Sequence, residues 1–564
     1  MTSRASGTPP TTIVVSGHMV DDPDRAVPRF PPDQVARVTG EIGRAFERWD
    51  VGPGTTVISG GARGADIIAA EEALARNARV TLCLSLPPDE LERRSVALPG
   101  SDWSQRFRAL LDRADVQQLA DPPSGDEVFA RTNEWMIDLG RSLAGGRPHG
   151  LVVWNGRDGG DGPGGTSDFI QRLGYTEPDK NLVVIDPTKR AYESRQPAEG
   201  KRKLLALDGG GIRGVLSLEI LLAIEDGLRK KLARKDLVLS DYFDYIGGTS
   251  TGAIIAAGLA LGMSVETLIG HYAAVGKKSF SRNLIPLRAL YQAGPLRKEL
   301  TRVFGRERTL GDGDLRTLLL LVMHNTGTDS PWPLSNCTQA KYNRADRCLP
   351  EKRDRNLELP LVELLRASTA APVYFPPQTL VVGRKPYVFQ DGGITPFNNP
   401  ALLLFLMATL PEYRLEWEVG EDRMLVVSVG TGAAPAVHEE LARRQIGYFF
   451  NAKNLTSVFM NGSSVGQDVL CRSLGRCRFG ESIDSEFGAR IDVSGIAGSN
   501  LFTYVRYNAD LSPAALVKQG ITDPSEQKRL RKLDAVKAMP QLRQLGRSVG
   551  AKVDIPTHFG GFFS

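Results

Sequence analysis

Tyr242-Phe243-Asp244-Tyr245-Ile246-Gly247 runs into Gly248-Thr249-Ser250-Thr251-Gly252 and then into Ala253-Ile254-Ile255-Ala256-Ala257. The first stretch is aromatic and β-branched, as a buried strand requires, and the last favours a helix. The residues between them therefore turn a strand into a helix. At such a junction flanking glycines accept a sharp turn that a Cβ would block, and the serine hydroxyl is pushed outward as in a nucleophile elbow. G-x-S-x-G alone also fits a loop that caps a helix.

Upstream, Asp208-Gly209-Gly210-Gly211-Ile212-Arg213-Gly214 follows the strand-like Lys203-Leu204-Leu205-Ala206-Leu207 and opens an apolar helical pattern from Val215 to Ile224. Consecutive glycines expose N–H groups at a helix N-terminus, where a phosphate or the oxyanion of an acyl-transfer transition state is stabilised. The spacing is not that of a G-x-G-x-x-G dinucleotide fingerprint. An oxyanion hole made by Gly209, Gly210 and Gly211, with positive charge from Arg213, is the preferred reading. Downstream, Gln390-Asp391-Gly392-Gly393-Ile394 follows Tyr387-Val388-Phe389. There a carboxylate ends a strand, as a base for serine would, although an Asx turn has the same appearance. The six histidines, His18, His149, His271, His324, His438 and His558, lie in none of these motifs, so a Ser-Asp dyad of Ser250 and Asp391 fits better than a triad.

From about Lys203 to the C-terminus the chain resembles the patatin-like phospholipases. The resemblance is carried by the D-G-G-G-I-R-G run, the G-T-S-T-G elbow, Arg366-Ala367-Ser368-Thr369-Ala370-Ala371-Pro372-Val373-Tyr374-Phe375-Pro376, and the D-G-G run continuing to Asn398-Asn399-Pro400. Weaker echoes are Ser428-Val429-Gly430-Thr431-Gly432 and Tyr504-Val505-Arg506. The resemblance implies a three-layer α/β acyl hydrolase with Ser250 as nucleophile, Asp391 as base and Gly209, Gly210, Gly211 and Arg213 in the oxyanion loop. It implies no catalytic cofactor and a membrane phospholipid as substrate. It also places a substrate-entry cap between Gly276 and Phe304.

A chain of 564 residues exceeds one hydrophobic core, so two or more domains are expected. With 41% hydrophobic and 24% charged residues it reads as an ordinary soluble globular protein, and a net charge of +5 without basic blocks argues against nucleic acid. Lys277-Lys278 and Arg229-Lys230-Lys231 read as exposed helix faces rather than headgroup contacts. The five cysteines form neither a disulfide framework nor a metal set. Met1 to Pro10 lacks the apolar core of a signal peptide, and the longest apolar stretches are too short to cross a bilayer. A cytoplasmic protein acting peripherally on the inner membrane face is the expectation. Residues 191–202 are polar and aperiodic, which predicts domains at 1–190 and 203–564 joined by a linker.

The first domain alternates strands and helices. Thr12-Ile13-Val14-Val15, Thr56-Val57-Ile58, Val80-Thr81-Leu82-Cys83-Leu84, Leu151-Val152-Val153-Trp154 and Leu182-Val183-Val184-Ile185 predict a Rossmann-like parallel sheet of five strands. Glycine turns after such strands bind phosphates or simply make tight βα connections. Through Gly60-Gly61-Ala62-Arg63-Gly64-Ala65-Asp66 and Gly164-Gly165-Thr166 this half resembles the SLOG group of nucleotide-sensing domains. It lacks the phosphoribohydrolase pattern, so binding is expected and catalysis is not. Candidate ligand residues are Gly17, His18, Gly60, Gly61, Arg63, Gly64, Asp66, Arg131, Asn133, Trp154, Asn155, Arg157, Gly164, Gly165 and Thr166. The domain order resembles bacterial defence effectors in which a signalling nucleotide releases a membrane-damaging enzyme. By that analogy a nucleotide second messenger is the expected activator and a homo-oligomer the expected assembly. The alternative is a constitutive lipid acyl hydrolase whose first domain is a scaffold or recruitment module.

Overall fold

Continuous apolar runs such as Leu318-Leu319-Leu320-Leu321-Val322-Met323 and Met424-Leu425-Val426-Val427 have no polar face to offer water, so they form strands covered on both sides, as parallel sheets demand. A computed structural model describes residues 11–22, 25, 28–120, 123, 125, 127–156, 166–175, 179–279, 289–343, 356–383, 385–433, 448–483 and 499–563. The chain divides into two compact units, Met1–Arg190 and Ala191–Ser564.

The first unit holds a six-stranded sheet made of β1 (Thr12–Gly17), β2 (Thr56–Ser59), β3 (Arg79–Leu84), β4 (Asp115–Gln118), β5 (His149–Val153) and β6 (Leu182–Ile185), in the order β4-β3-β2-β1-β5-β6. Each paired neighbour runs parallel. The sixth strand corrects the expectation of five. Asp115-Val116-Gln117-Gln118 is polar and mostly exposed at the sheet edge, so it lacks the hydrophobic signal by which the inner strands are recognised. The order reverses between β1 and β5, and the loops after those strands flank the resulting crevice.

The second unit is built on a nine-stranded sheet of β7 (Arg202–Leu207), β8 (Tyr245–Thr249), β9 (Leu318–Asn325), β10 (Ser330–Ser335), β11 (Gln378–Val382), β12 (Lys385–Asp391), β13 (Met424–Val429), β14 (Arg476–Phe479) and β15 (Thr503–Tyr507). Its order is β11-β12-β9-β8-β7-β13-β15-β14, with β10 also paired to β9. Residues 191–202, expected to be a linker, pack into this unit: the Tyr192 ring is fully buried in its core and its hydroxyl donates to Gly311 O at 3.1 Å. The C-terminal Phe559 and Phe562 lie in the same core. The charged expectation at Lys277-Lys278 falls on side chains outside the described residues, as do residues 280–288 of the expected cap.

The register around β9 determines where the two catalytic candidates fall. β8 runs parallel to β9 and ends with Thr249 opposite Val322. β12 runs antiparallel to β9 and ends with Asp391 opposite Met323. Since β10 occupies one edge of β9 over residues 320–325, β8 and β12 share the other edge and arrive head-on at adjacent residues.

Candidate active site

Ser250 is the residue after β8 and caps the helix Thr251–Ala260 with φ 55° and ψ −122°. A non-glycine residue rarely adopts that region, and strain of this kind gathers at functional positions. Two glycines allow the turn. A Cβ on Gly248 would lie 2.1 Å from Gly252 O, and one on Gly252 would lie 2.3 Å from Leu207 O. The flanking glycines thus let strand, turn and helix touch backbone to backbone.

Ser250 Oγ donates to Asp391 Oδ2 at 2.6 Å, and Asp391 Oδ1 accepts the Gly393 N–H at 2.7 Å. Asp391 N–H donates to Ala370 O at 3.1 Å, so the Ser-Thr-Ala-Ala stretch fixes the carboxylate from behind. Burial pushes the Asp391 carboxyl up to about 6, against the opposing effects of the Ser250 and Gly393 hydrogen bonds and the Arg366 charge. Arg366 is itself fully buried, donates to Pro376 O at 2.8 Å, and lies over the Phe375 ring. Desolvation lowers its guanidinium to about 10, which leaves it charged near neutrality. No reading of the sequence assigned Arg366 or Ser368 a role. Ser368 Oγ accepts the Ser250 N–H at 2.9 Å and donates to Val322 O at 2.6 Å, pinning the elbow to β9.

The glycine turn after β7 passes beside the serine. A Cβ on Gly209 would come within 3.1 Å of Ser250 Cβ and 2.4 Å of Asn398 Oδ1. Gly209 N–H donates to Asn398 O at 3.1 Å, which leaves the amides of Gly210 and Gly211 without a partner among the described residues. Gly211 lines the cavity that holds Ser250 and Asp391; Gly209 and Arg213 instead line a second, polar cavity. The Arg213 guanidinium is buried, donates to Gly432 O at 3.1 Å, and is lowered to about 10 by desolvation. Its side chain therefore braces the turn rather than facing the serine.

The weaker sequence echoes prove to be the support of that turn. Thr431 Oγ1 donates to Gly209 O at 2.9 Å, and a Cβ on Gly210 would lie 2.1 Å from the same hydroxyl oxygen. Arg506 on β15 holds Asp208 through two hydrogen bonds, 2.7 and 2.6 Å long, and also donates to Ser428 Oγ on β13. This buried pair ties the ends of three neighbouring strands together. Asn398 Nδ2 donates to Ser464 Oγ at 2.9 Å, and its N–H donates to Ser463 Oγ at 3.0 Å, so the helix Tyr448–Leu474 is laced to the same turn.

The cavity at Ser250 encloses about 650 Å³, its mouth included, and is walled chiefly by Ile212, Ile254, Tyr272, Leu296, Ala371, Tyr374, Phe375, Met460 and Leu533. An apolar slot ending at a serine, a carboxylate and Gly211 of the glycine turn suits an acyl chain with its ester carbonyl at the polar end. Among the described residues no cluster of His, Cys, Asp and Glu has the arrangement of a metal site.

In the first unit the crevice between β1 and β5 brings together Gly17, His18 and Asn155. His18 Nε2 lies 3.0 Å from Asn155 Oδ1, and burial lowers the His18 imidazole below its ordinary value. Gly64, at φ 99°, packs where a Cβ would meet His18 O at 2.8 Å, which draws the turn after β2 onto the same crevice. Within that turn Asp66 accepts the Ala62 N–H at 3.2 Å, its other oxygen has no partner among the described residues, and burial raises the carboxyl to about 7. A Cβ on Gly60 would lie 3.0 Å from the Asp66 carboxylate, and Gly61 turns at φ 81°. Arg63 points inward: its guanidinium donates to Val20 O, Ala97 O and Asp22 Oδ1. Arg131 is exposed and pairs with Glu134, while Asn133 is buried and Trp154 half-buried. Thr166 starts a helix; Arg157, Gly164 and Gly165 lie outside the described residues.

Residues 205–405 match the patatin-like phospholipase family model. A cGAMP-activated phospholipase of Escherichia coli (strain TW11681) is 31% identical over 238 residues, 41% of this chain and 62% of that one. A second cGAMP-activated phospholipase, from Vibrio cholerae, is 30% identical over 36% of this chain and 56% of that one. The 85/88 kDa calcium-independent phospholipase A2 of Rattus norvegicus is 34% identical over 42% of this chain and 28% of that one. The chain spans less than two thirds of the length of each of these relatives. With the elbow, the glycine turn and the aspartate all inside the matched residues, the second unit carries a patatin-like phospholipase domain.

Proposed function

We propose that the protein is a lipid acyl hydrolase of the phospholipase A type, working through a Ser250–Asp391 dyad. The observation that carries the reading is the 2.6 Å hydrogen bond between these side chains at the polar end of an apolar cavity. The Asp391 carboxylate takes the Ser250 proton as Oγ attacks an ester carbonyl. The oxyanion so formed is met by the amides of Gly210 and Gly211, each donor contributing on the order of 3 kcal/mol. Collapse breaks the ester bond, and the departing alcohol receives the proton from Asp391. Water, deprotonated by the same carboxylate, then attacks the acyl-enzyme, and the fatty acid leaves as Ser250 recovers its proton.

A SLOG-like first unit supplies control in this proposal. A nucleotide second messenger seated at Gly17, His18 and Asn155 favours an oligomeric state in which the serine cavity is open, as suits an antiviral effector that attacks the inner face of its own cell's membrane. Two of the relatives support a nucleotide signal, since they are described as cGAMP-activated phospholipases. Phosphate contacts would come from turn amides, because Arg63 is spent on carbonyls and Asp22. That inward Arg63 also favours a second reading, a constitutive hydrolase whose first unit recruits or scaffolds.

Fatty acid release from phospholipid vesicles by the full chain, with and without a panel of cyclic di- and trinucleotides, tests both readings. Release that rises with one nucleotide and vanishes in Ser250→Ala is the expected result. Equal release throughout selects the scaffold reading, and undiminished release by Ser250→Ala overturns the dyad.

A further inference from the structure

Over its residues 456–474 the helix Tyr448–Leu474 is inverted in polarity. Its charged residues between 456 and 474, Asp468 and Arg472, are both buried and pair with each other at 2.8 Å, and Thr456 and Gln467 are buried with them. Its exposed residues over the same span are Ser457, Val458, Phe459, Gly462, Val465, Gly466 and Leu470, none of them charged. Val458 is 54% exposed, Phe459 52% and Leu470 46%. A helix facing water presents the opposite arrangement. On its inner side Met460 walls the cavity of Ser250 and Asp391, while Ser463 and Ser464 bind Asn398 beside the glycine turn.

A second exposed apolar group adjoins another wall of the same cavity. Ala371, Tyr374 and Phe375 line that wall, and between them Val373 stands 48% exposed with φ 73°. A β-branched residue in the left-handed region is strained, and this one gains no burial in return. Leu290, also exposed, donates its N–H to Val373 O at 2.9 Å.

We propose that the outer face of residues 456–474 of this helix, with Val373 and Leu290, is the surface by which the protein docks on a phospholipid bilayer. The inference rests on the acyl-hydrolase reading for its choice of partner: both apolar groups adjoin walls of the cavity that would receive a lipid tail, so docking lets a tail pass from membrane to serine without crossing water. Apolar side chains set in a charge-free helical face are the chemistry of interfacial insertion. The face draws its affinity from apolar burial, so high salt leaves the binding in place.

The test uses the full chain carrying Ser250→Ala, so that binding is read without lipid breakdown, and sedimentation with vesicles of phosphatidylethanolamine and phosphatidylglycerol. Adding F459E and V465E should lower vesicle binding at least tenfold, and in the active chain the same pair should lower phospholipid hydrolysis while hydrolysis of water-soluble p-nitrophenyl butyrate stays within twofold. Val373→Asn should weaken vesicle binding while keeping or raising the melting temperature, since asparagine tolerates a positive φ. Vesicle binding unchanged by all three substitutions overturns the proposal. So does a shift from oligomer to smaller species by light scattering with vesicle binding intact, which would make this face a contact between copies. The ester assays are run with the same nucleotide panel, and if the parent cleaves neither ester with any nucleotide present, the hydrolase reading fails while the sedimentation result still decides docking.

Discussion

Ser368 Oγ accepts a hydrogen bond from the Ser250 N–H at 2.9 Å and donates one to Val322 O at 2.6 Å, so one hydroxyl fastens the strained turn to the neighbouring strand. Ser368→Ala leaves a buried N–H and a buried C=O unpaired, a loss on the order of 1–3 kcal/mol. The expected outcome is a lower denaturation midpoint with unchanged slope, and a kcat reduced about tenfold with little change in KM. A variant with wild-type kcat would show that the elbow holds its shape without this contact.

Asp391 should set the acid limb of the rate profile. Its carboxyl, raised by burial to about 6, must be ionised to accept the serine proton, so kcat/KM should fall tenfold per pH unit below about 6 and level off above. Stability should run the other way. Between the ordinary carboxylate value of 3.8 and about 6 the folded chain holds a proton that the unfolded chain has released, so stability drops as pH rises through that window. The resulting penalty at pH 7 is on the order of 3 kcal/mol. Asp391→Asn should therefore abolish ester hydrolysis yet melt higher than the parent at pH 7, with the difference vanishing near pH 4.

The backbone of Ser250 predicts a second gain of stability at the cost of activity. Held at φ 55° and ψ −122°, it stores strain that glycine would not feel. Ser250→Gly should be inactive and more stable than Ser250→Ala by about 1 kcal/mol in chemical denaturation.

The Asp208–Arg506 pair is buried on both sides, so removing one partner strands the other charge. Arg506→Met should cost about 3–5 kcal/mol, and Asp208→Asn added to it should restore much of the loss. Activity should recover less than stability, because the pair also fixes the start of the glycine turn.

Legibility differed by the kind of signal. The mixed α/β architecture could be read because inner strands such as Leu318–Met323 are apolar throughout, whereas β4 escaped notice because an edge strand of Asp, Val and Gln looks like a loop. Ser250 and Asp391 stand out because glycines bracket the one and follow the other, and the structure brings the two side chains into contact. Ser368, Arg366, Asn398 and Thr431 do their work through hydrogen bonds to backbone or through charge at a distance, which leaves no periodic trace. They were visible only as repeated motif blocks without roles. Arg63 misled for the opposite reason: an arginine in a glycine turn suggests phosphate, but only the folded chain shows its donors taken by Val20, Ala97 and Asp22.

The head-on meeting of β8 and β12 along β9 makes the reactive centre a vernier for strand alignment. Side chains alternate faces along a strand, so a slip of β12 by a single position would carry Asp391 about 3.4 Å along and turn its carboxylate to the opposite side of the sheet. A refolding species with every strand formed but that one misaligned would pass for native by circular dichroism and remain silent toward substrate, so the recovery of turnover should lag behind the recovery of secondary structure.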